Sequence, residues 1–250
     1  MSGLTISRRA VLAASALLAP GAGARANAGE TPREVHMRLV RAPADRLVVA
    51  LTLDACPGAF DTRIAAALVE ARIPATIFAT GAWLRRNPQG LALLLAHRDL
   101  FGIENHGARH VPPIIGHRRI FGLAPAGDLD AVRAEVIDGA AEVRAATGLA
   151  PKWYRAAAGY YSPAAIPLIR DMGFGVAGFS LNADMGASLP ARSVARRIAA
   201  AAPGDVIVAH VNQPLRKSGE GVVTGVRALQ ARGARFVRLD TLAPADCIYY

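Results

Sequence analysis

The sequence predicts an α/β fold of parallel βαβ units, and three observations carry that expectation. The chain has 250 residues, 52% of them apolar, enough for one sizeable core and one domain. From about residue 45 onward, short apolar runs alternate with longer amphipathic stretches, the pattern of strands joined by crossover helices. Polar residues also recur just past the apolar runs. The alternation alone fits either a closed barrel or an open doubly wound sheet.

Residues 47–53, LVVALTL, predict a buried strand. Asp61 can cap a helix running to about residue 71. A strand follows at 75–79. Asn87 and Pro88 place an N-cap before a proline at the first helical position, opening a helix to about residue 97. Residues 100–104 predict a short strand. Residues 105–127 are rich in Gly, Pro and His and show no period; a loop of that length in a compact domain is usually functional or partly mobile. Asp128 opens an amphipathic helix to 147, stopped by Gly148. A strand is expected at 152–154. Ser162-Pro163 then opens a helix ended by Gly173, with Pro167 a local distortion. A strand at 174–179, a helix at 190–202 and a strand at 206–209 follow. A helix at 221–232 with Gly233 as its stop and a last strand at 235–238 complete the pattern. The sequence contains no internal repeat.

The N-terminus reads differently. In MSGLTISRRAVLAASALLAPGAGARANAGE a pair, Arg8-Arg9, precedes a short apolar run at 10–19 and then small residues. This is a signal-peptide layout, with an apolar run too short to span a bilayer. SRRAVLA also resembles a twin-arginine export signal, the alternative being an ordinary secretory signal. Cleavage after Ala26 or Ala28 fits the small-x-small rule. The expected organisation is an export signal at 1–28, a linker at 29–45 and a catalytic domain at 46–242. The mature protein is then exported, periplasmic or extracellular, with no stable membrane insertion.

The formal net charge is +10. Cleavage after Ala28 removes three of the 29 basic residues and none of the 19 acidic ones, leaving +7. The remaining arginines scatter along predicted helices as solvated faces, and no aromatic-rich basic groove of the nucleic-acid kind is present. Short clusters such as His117-Arg118-Arg119 could touch an anionic polymer. Cys56 and Cys247 lie far apart in sequence and do not make a disulfide framework.

The polar residues after predicted strands carry the chemistry. They are Asp54, Asn105-His106 with His110, Arg155, Asp184 and His210, each at the end of a different strand. In a closed barrel those ends converge on one face, where active sites sit. His106 and His110, in ENHGARHVP, have a spacing that suits a borderline metal such as zinc, or are polar loop residues. Asp54 is a third ligand or a general base. His210, ending VIVAH, is a proton donor or a satisfied core histidine, and Asp184 orients such a histidine or caps a turn. Arg155 is a surface charge or a buried guanidinium that needs a carboxylate, with Asp54 the natural candidate.

These residues in this order resemble the polysaccharide deacetylase family, also called the NodB-homology or carbohydrate esterase family 4 group, over roughly residues 45–240. The resemblance implies a distorted (β/α) barrel of parallel strands with roughly seven βα repeats. It also implies metal-dependent hydrolysis of acetyl groups, a C–N amide bond, on a carbohydrate. LTLDACPG stands in the place of the family's Thr-Phe-Asp-Asp-Gly-Pro, with Thr52, Asp54 and Pro57 matching. The family's roles then fall on Asp54 as catalytic base and on His106 and His110 as ligands of a divalent metal, zinc by their chemistry. They fall on Arg155, in WYRAAAG, as the group positioning the base. Asp184, in NADM, tunes the acid His210, and a backbone N–H near Ala158 steadies the oxyanion.

Three positions depart from the pattern. The family's second aspartate, a metal ligand, is Ala55 here; its Pro-Pro-Tyr after the arginine is Ala156-Ala157-Ala158; its later tryptophan is Met185. Water, Asp54 or a Cys56 thiolate can fill the ligand gap, or Cys56 is a small turn residue without a role. The competing functions are a glycan-binding module without turnover and a metal-free thiol hydrolase using Cys56. The glycan, the choice between amide and ester, and the oligomeric state are not legible.

Overall fold

The computed structural model describes residues 31–40 and 46–250. The expected export segment, residues 1–28, lies outside the described residues. In chain order the first elements are β1 (Arg33–Glu34), β2 (Met37–Leu39), β3 (Val48–Ala55), α1 (Thr62–Glu70), β4 (Ala75–Ala79), α2 (Gly81–Arg86) and α3 (Pro88–Ala96). Next come β5 (Phe101–Asn105), α4 (Leu129–Thr147), β6 (Trp153–Tyr154), β7 (Tyr160–Tyr161), α5 (Ala165–Asp171) and β8 (Gly175–Val176). The chain finishes with β9 (Leu181–Asn182), α6 (Ala191–Ala199), β10 (Val206–His210), α7 (Ser218–Ala231), β11 (Arg235–Val237) and β12 (Cys247–Tyr249).

Eight strands form one parallel sheet among the described residues, in the order β8-β6-β5-β4-β3-β10-β9, with β11 also on β3. β10 takes one edge of β3 from Ala50 to Asp54. On the other edge β11 takes Val48 to Ala50 and β4 takes Thr52 to Ala55. The two ends of the order are joined by one bent segment, residues 175–183. Its start pairs with β6, and the Ala177 N–H donates to Tyr154 O. Its end pairs with β10, and the Ser180 N–H donates to Val206 O. The sheet is thereby a distorted (β/α) barrel with helices outside.

Strand alternation sorts the core into two layers. On β3, Val49, Leu51, Leu53 and Ala55 pack outward with α1, α6 and α7 side chains such as Leu68, Ile198 and Leu229. Ala50 packs inward with Phe78, Trp153, Val206 and Val208. A third cluster joins α4 and α5 to the outer side of β6 and β8 through Val132, Val136, Tyr154, Ile169 and Val176.

Several sequence expectations shift. Helix α2 was not expected; it is one and a half turns, capped by Thr80 Oγ1 accepting the Trp83 N–H at 3.0 Å. Asn87 precedes Pro88 as expected but makes no cap bond; its Nδ2 donates to Gly58 O and Trp83 O. Ser162 does not open α5, which begins at Ala165; its Oγ accepts the Ile115 N–H at 2.8 Å instead. Pro167 is the third residue of α5, in the first turn, where a missing N–H breaks no helical bond. The strand expected at 174–179 is β8 followed by the bend that reaches β9. At the termini, β1 pairs with β7 and β2 with β12, and Met37 is fully buried. The folded body therefore includes part of the expected linker and runs past residue 242. Strands of two or three residues carry too little alternation to be read from sequence.

Candidate active site

The same alternation builds the site. Thr52 and Asp54 on β3 point into the barrel, on the face opposite Leu53 and Ala55. His106 follows the inward positions Gly102 and Glu104 of β5, Arg155 follows inward Trp153 of β6, and His210 follows inward Val206 and Val208 of β10. In the parallel register Asp54 stands opposite His210. The polar side chains at these strand ends thus meet at the C-terminal mouth of the barrel.

Asp54 and Arg155 form a buried pair. Arg155 Nη1 donates to Asp54 Oδ1 at 2.9 Å and to Thr52 Oγ1 at 2.7 Å; Nη2 donates to Gly178 O at 3.0 Å. The guanidinium lies 4.2 Å over the Phe78 ring. Burial pushes the Asp54 carboxyl up, but the charges of Arg155, His106 and His210 outweigh it and hold the group below its usual range.

His210 and Asp184 form the second pair. Asp184 accepts from His210 Nδ1 at 2.8 Å and from the His210 backbone N–H at 2.7 Å, fixing the ring with Nε2 toward the groove. Burial lowers the imidazole pKa; the Asp184 charge and hydrogen bond outweigh it and hold it well above the usual range.

Between these pairs sit Cys56, His106 and His110, with one donor atom from each lying within 4.8 Å of the others. His106 Nδ1 bonds Arg155 O at 2.9 Å, which turns Nε2 to within 3.4 Å of Cys56 Sγ and 3.8 Å of Asp54 Oδ2. His110 Nε2 is buried with no hydrogen-bond partner. For Cys56, burial raises the thiol pKa, but the charge and hydrogen bond of His106, with smaller influences of His110 and His210, hold it well below the usual range. An orphaned imidazole nitrogen beside a second imidazole and a sulfur is a donor set that fits a divalent metal.

Helix α4 holds the histidine loop. Buried Glu135 accepts the backbone N–H of Arg109 at 2.8 Å and of Val111 at 3.1 Å, and its Oε2 pairs with Arg109 Nε. His110 between them has left-handed backbone, φ +68°. Asn105, expected at the site, turns away: its Nδ2 donates to Val136 O at 2.8 Å and its Oδ1 accepts the Gly107 N–H. Glu135 was not singled out in the sequence. The available signal was a carboxylate on the buried stripe of α4, between Val132 and Val136.

Asp54, Cys56, His106, His110 and His210 line one cavity of about 830 Å³, while Arg155 and Asp184 stand behind it, fully buried. Its rim carries Phe121, 82% exposed, with Tyr160 edge-on to it, and Met185, 52% exposed. Ala158 forms part of the wall. Among the described residues six non-glycine positions have left-handed backbone, and His110, Phe121, Ala158 and Met185 of these line this cavity. Such strain concentrates where surrounding structure imposes a functional geometry. Glu104, on the same barrel, accepts from the Lys152 and Trp153 N–H groups and is pushed up to about 8 by burial; it does not line the cavity.

Comparison with known proteins identifies the family and the fold. The polysaccharide deacetylase pattern matches residues 41–177. Among solved structures, a peptidoglycan N-acetylglucosamine deacetylase bound to an N-oxidanyl-benzamide superposes with a TM-score of 0.66 at 22% identity, over 80% of this chain and 89% of that one. A family 4 carbohydrate esterase from Streptomyces lividans in complex with acetate gives 0.64 at 18% identity, over 81% and 96%. A mutant of a family 4 pseudoenzyme with restored enzymatic activity gives 0.63 at 20%, over 80% and 68%. At these identities the likeness is one of fold. No curated protein sequence matches the chain. The family pattern spans more than half of the sequence, and the chain belongs to the polysaccharide deacetylase family, hydrolases that act on carbon–nitrogen bonds other than peptide bonds.

Proposed function

We propose that this chain is an exported, metal-dependent deacetylase that hydrolyses the acetamide bond of an N-acetylated polysaccharide. One observation carries the reading: a carboxylate held by Arg155 and an imidazole held by Asp184 face the Cys56–His106–His110 group in a single groove. His106 and His110 would hold the divalent ion, which when bound would polarise a carbonyl and acidify water.

The chain's own residues do the rest. Asp54, kept ionised by Arg155, accepts a proton from the attacking water. A backbone N–H near Ala158 donates to the developing oxyanion. His210, kept protonated by Asp184, gives its proton to the leaving nitrogen. The arginine pair and short apolar run near the N-terminus support export, and N-acetylglucosamine in peptidoglycan, named in the description of the first structural neighbour, is the substrate class to try first.

The test is acetate release from N-acetylglucosamine oligomers by the zinc-loaded chain. Asp54→Asn and His210→Ala should each lower it by about 10²–10⁴-fold, the usual contribution of a general base or acid. A second reading, glycan binding without turnover, is favoured by Ala55 and by Ala156-Ala157-Ala158, which remove polar and wall groups of the family pattern. Oligomer binding with no acetate released by the metal-loaded native chain would establish it.

A further inference from the structure

Ala55 occupies the position where the family pattern places a metal-binding carboxylate, and its side chain packs in the outer cluster, away from the groove. The next residue returns to the inner side. Cys56 Sγ lies 3.4 Å from His106 Nε2, and a donor atom of His110 is in the same group. Zinc bonded to sulfur at about 2.3 Å and to nitrogen at about 2.0–2.1 Å in tetrahedral geometry sets the two donors about 3.5 Å apart. The observed 3.4 Å, a hydrogen-bond contact in the metal-free chain, matches the spacing of two ligands of one ion. Asp54 is the less well placed donor: its Oδ1 is held by Arg155, and its Oδ2 lies 3.8 Å from His106 Nε2, farther than the sulfur. His110 Nε2 has no hydrogen-bond partner.

We propose that Cys56 supplies the third protein ligand, making this a thiolate–imidazole–imidazole centre in place of a carboxylate one. The proposal rests on the metal-dependent reading and names what fills its ligand gap. Any proton on Sγ leaves to solvent as the metal–sulfur bond forms. The consequence is selectivity. A thiolate favours zinc and cobalt over the harder magnesium and manganese ions that oxygen donors suit, so the site discriminates more strongly than a carboxylate centre.

The experiment is titration of the metal-free full chain with cobalt(II), followed by zinc competition. One equivalent should bind with a near-ultraviolet sulfur-to-cobalt charge-transfer band. In Cys56→Ala the band should vanish and zinc affinity should fall at least about 100-fold, the upper end of what lost supporting contacts alone cost. Cys56→Asp should restore one equivalent without the band and shift preference toward manganese. Zinc should also protect the native chain from alkylation at Cys56. Cys247, buried in the β2–β12 region with its thiol pushed up to about 11, serves as the unlabelled internal reference. Cobalt binding without the band, or Cys56→Ala binding zinc as tightly as the native chain, would overturn the proposal. His106→Ala separates the two levels. If it loses metal while Cys56→Ala keeps it, the thiolate alone is wrong; if it keeps metal, the histidine site itself is wrong.

Discussion

Replacing Arg155 by methionine removes the counter-ion of Asp54 while keeping much of the buried stem. Arg155 is fully buried and holds three acceptors: Asp54 Oδ1, Thr52 Oγ1 and Gly178 O. Breaking one side of a buried ion pair costs about 3–5 kcal/mol, because the other charge stays behind. The Gly178 carbonyl loses its side-chain donor as well, worth about 1–3 kcal/mol when left unsatisfied. The two losses overlap, and His106 remains as a weaker partner for Asp54, so the total should be about 4–6 kcal/mol. That is close to the whole stability of a marginal domain, about 5–15 kcal/mol. The pH dependence identifies the cause. In the native chain the folded Asp54 pKa is lowered, so its contribution to stability is present above the unfolded value and lost as pH falls through the folded one. Without Arg155, burial raises the folded pKa instead, so the penalty is full at neutral pH and shrinks on acidification. Urea unfolding with chelator present, at about pH 7.5 and about pH 5, reads both the cost and its trend. Asp54→Asn combined with Arg155→Met should recover most of the loss, since the stranded charge is gone. A double variant as unstable as the sum of the singles, or a cost independent of pH, would refute the reasoning.

Asp184→Asn should move the alkaline limb of kcat/KM down toward the ordinary imidazole value of about 6.5 or below, since the Asp184 charge is what holds His210 protonated against burial. The raised His210 pKa contributes stability that is full below its unfolded value and lost as pH rises through the folded one. Denaturation of Asp184→Asn against the native chain should therefore show a gap that narrows with rising pH. Gly139→Ala drives a methyl into Asn105 Oδ1 and within 2.6 Å of the Gly107 carbonyl carbon. The crowding should cost about 1–3 kcal/mol in thermal or urea unfolding and weaken metal binding by displacing the His106–His110 loop. Chelation should lower the melting temperature of the native chain, by the equivalent of about 4 kcal/mol where metal had been present at a thousandfold over its Kd, and leave that of His106→Ala unchanged.

The barrel was legible because its strands are apolar runs bounded by caps, glycines and prolines. Asp61, Asp128 and Gly148 stand at helix ends as their chemistry requires, with Gly148 left-handed at φ +78°. What sequence did not show was short or relational: two-residue strands, the bend of 175–183 that joins both ends of the sheet, and the turn of Asn105 onto α4. The site divides along the same line. Asp54, His106, Arg155 and His210 announced themselves as polar groups at strand ends, and each takes an inward position of its strand. Cys56 stood open among several readings, because a cysteine in a turn is equally at home as a small apolar residue, and its meaning depends on which side of the strand it leaves from. Alternation supplies that answer. Thr52 and Asp54 face the barrel, Ala55 faces the helices, and residue 56 comes back to the groove side. On a strand a shift of one residue exchanges the two faces. On the proposed thiolate reading, the donor at 56 stands on the groove side, 3.4 Å from His106 Nε2, and would change the softness of the centre while the Asp54–Arg155 and His210–Asp184 pairs stay in place.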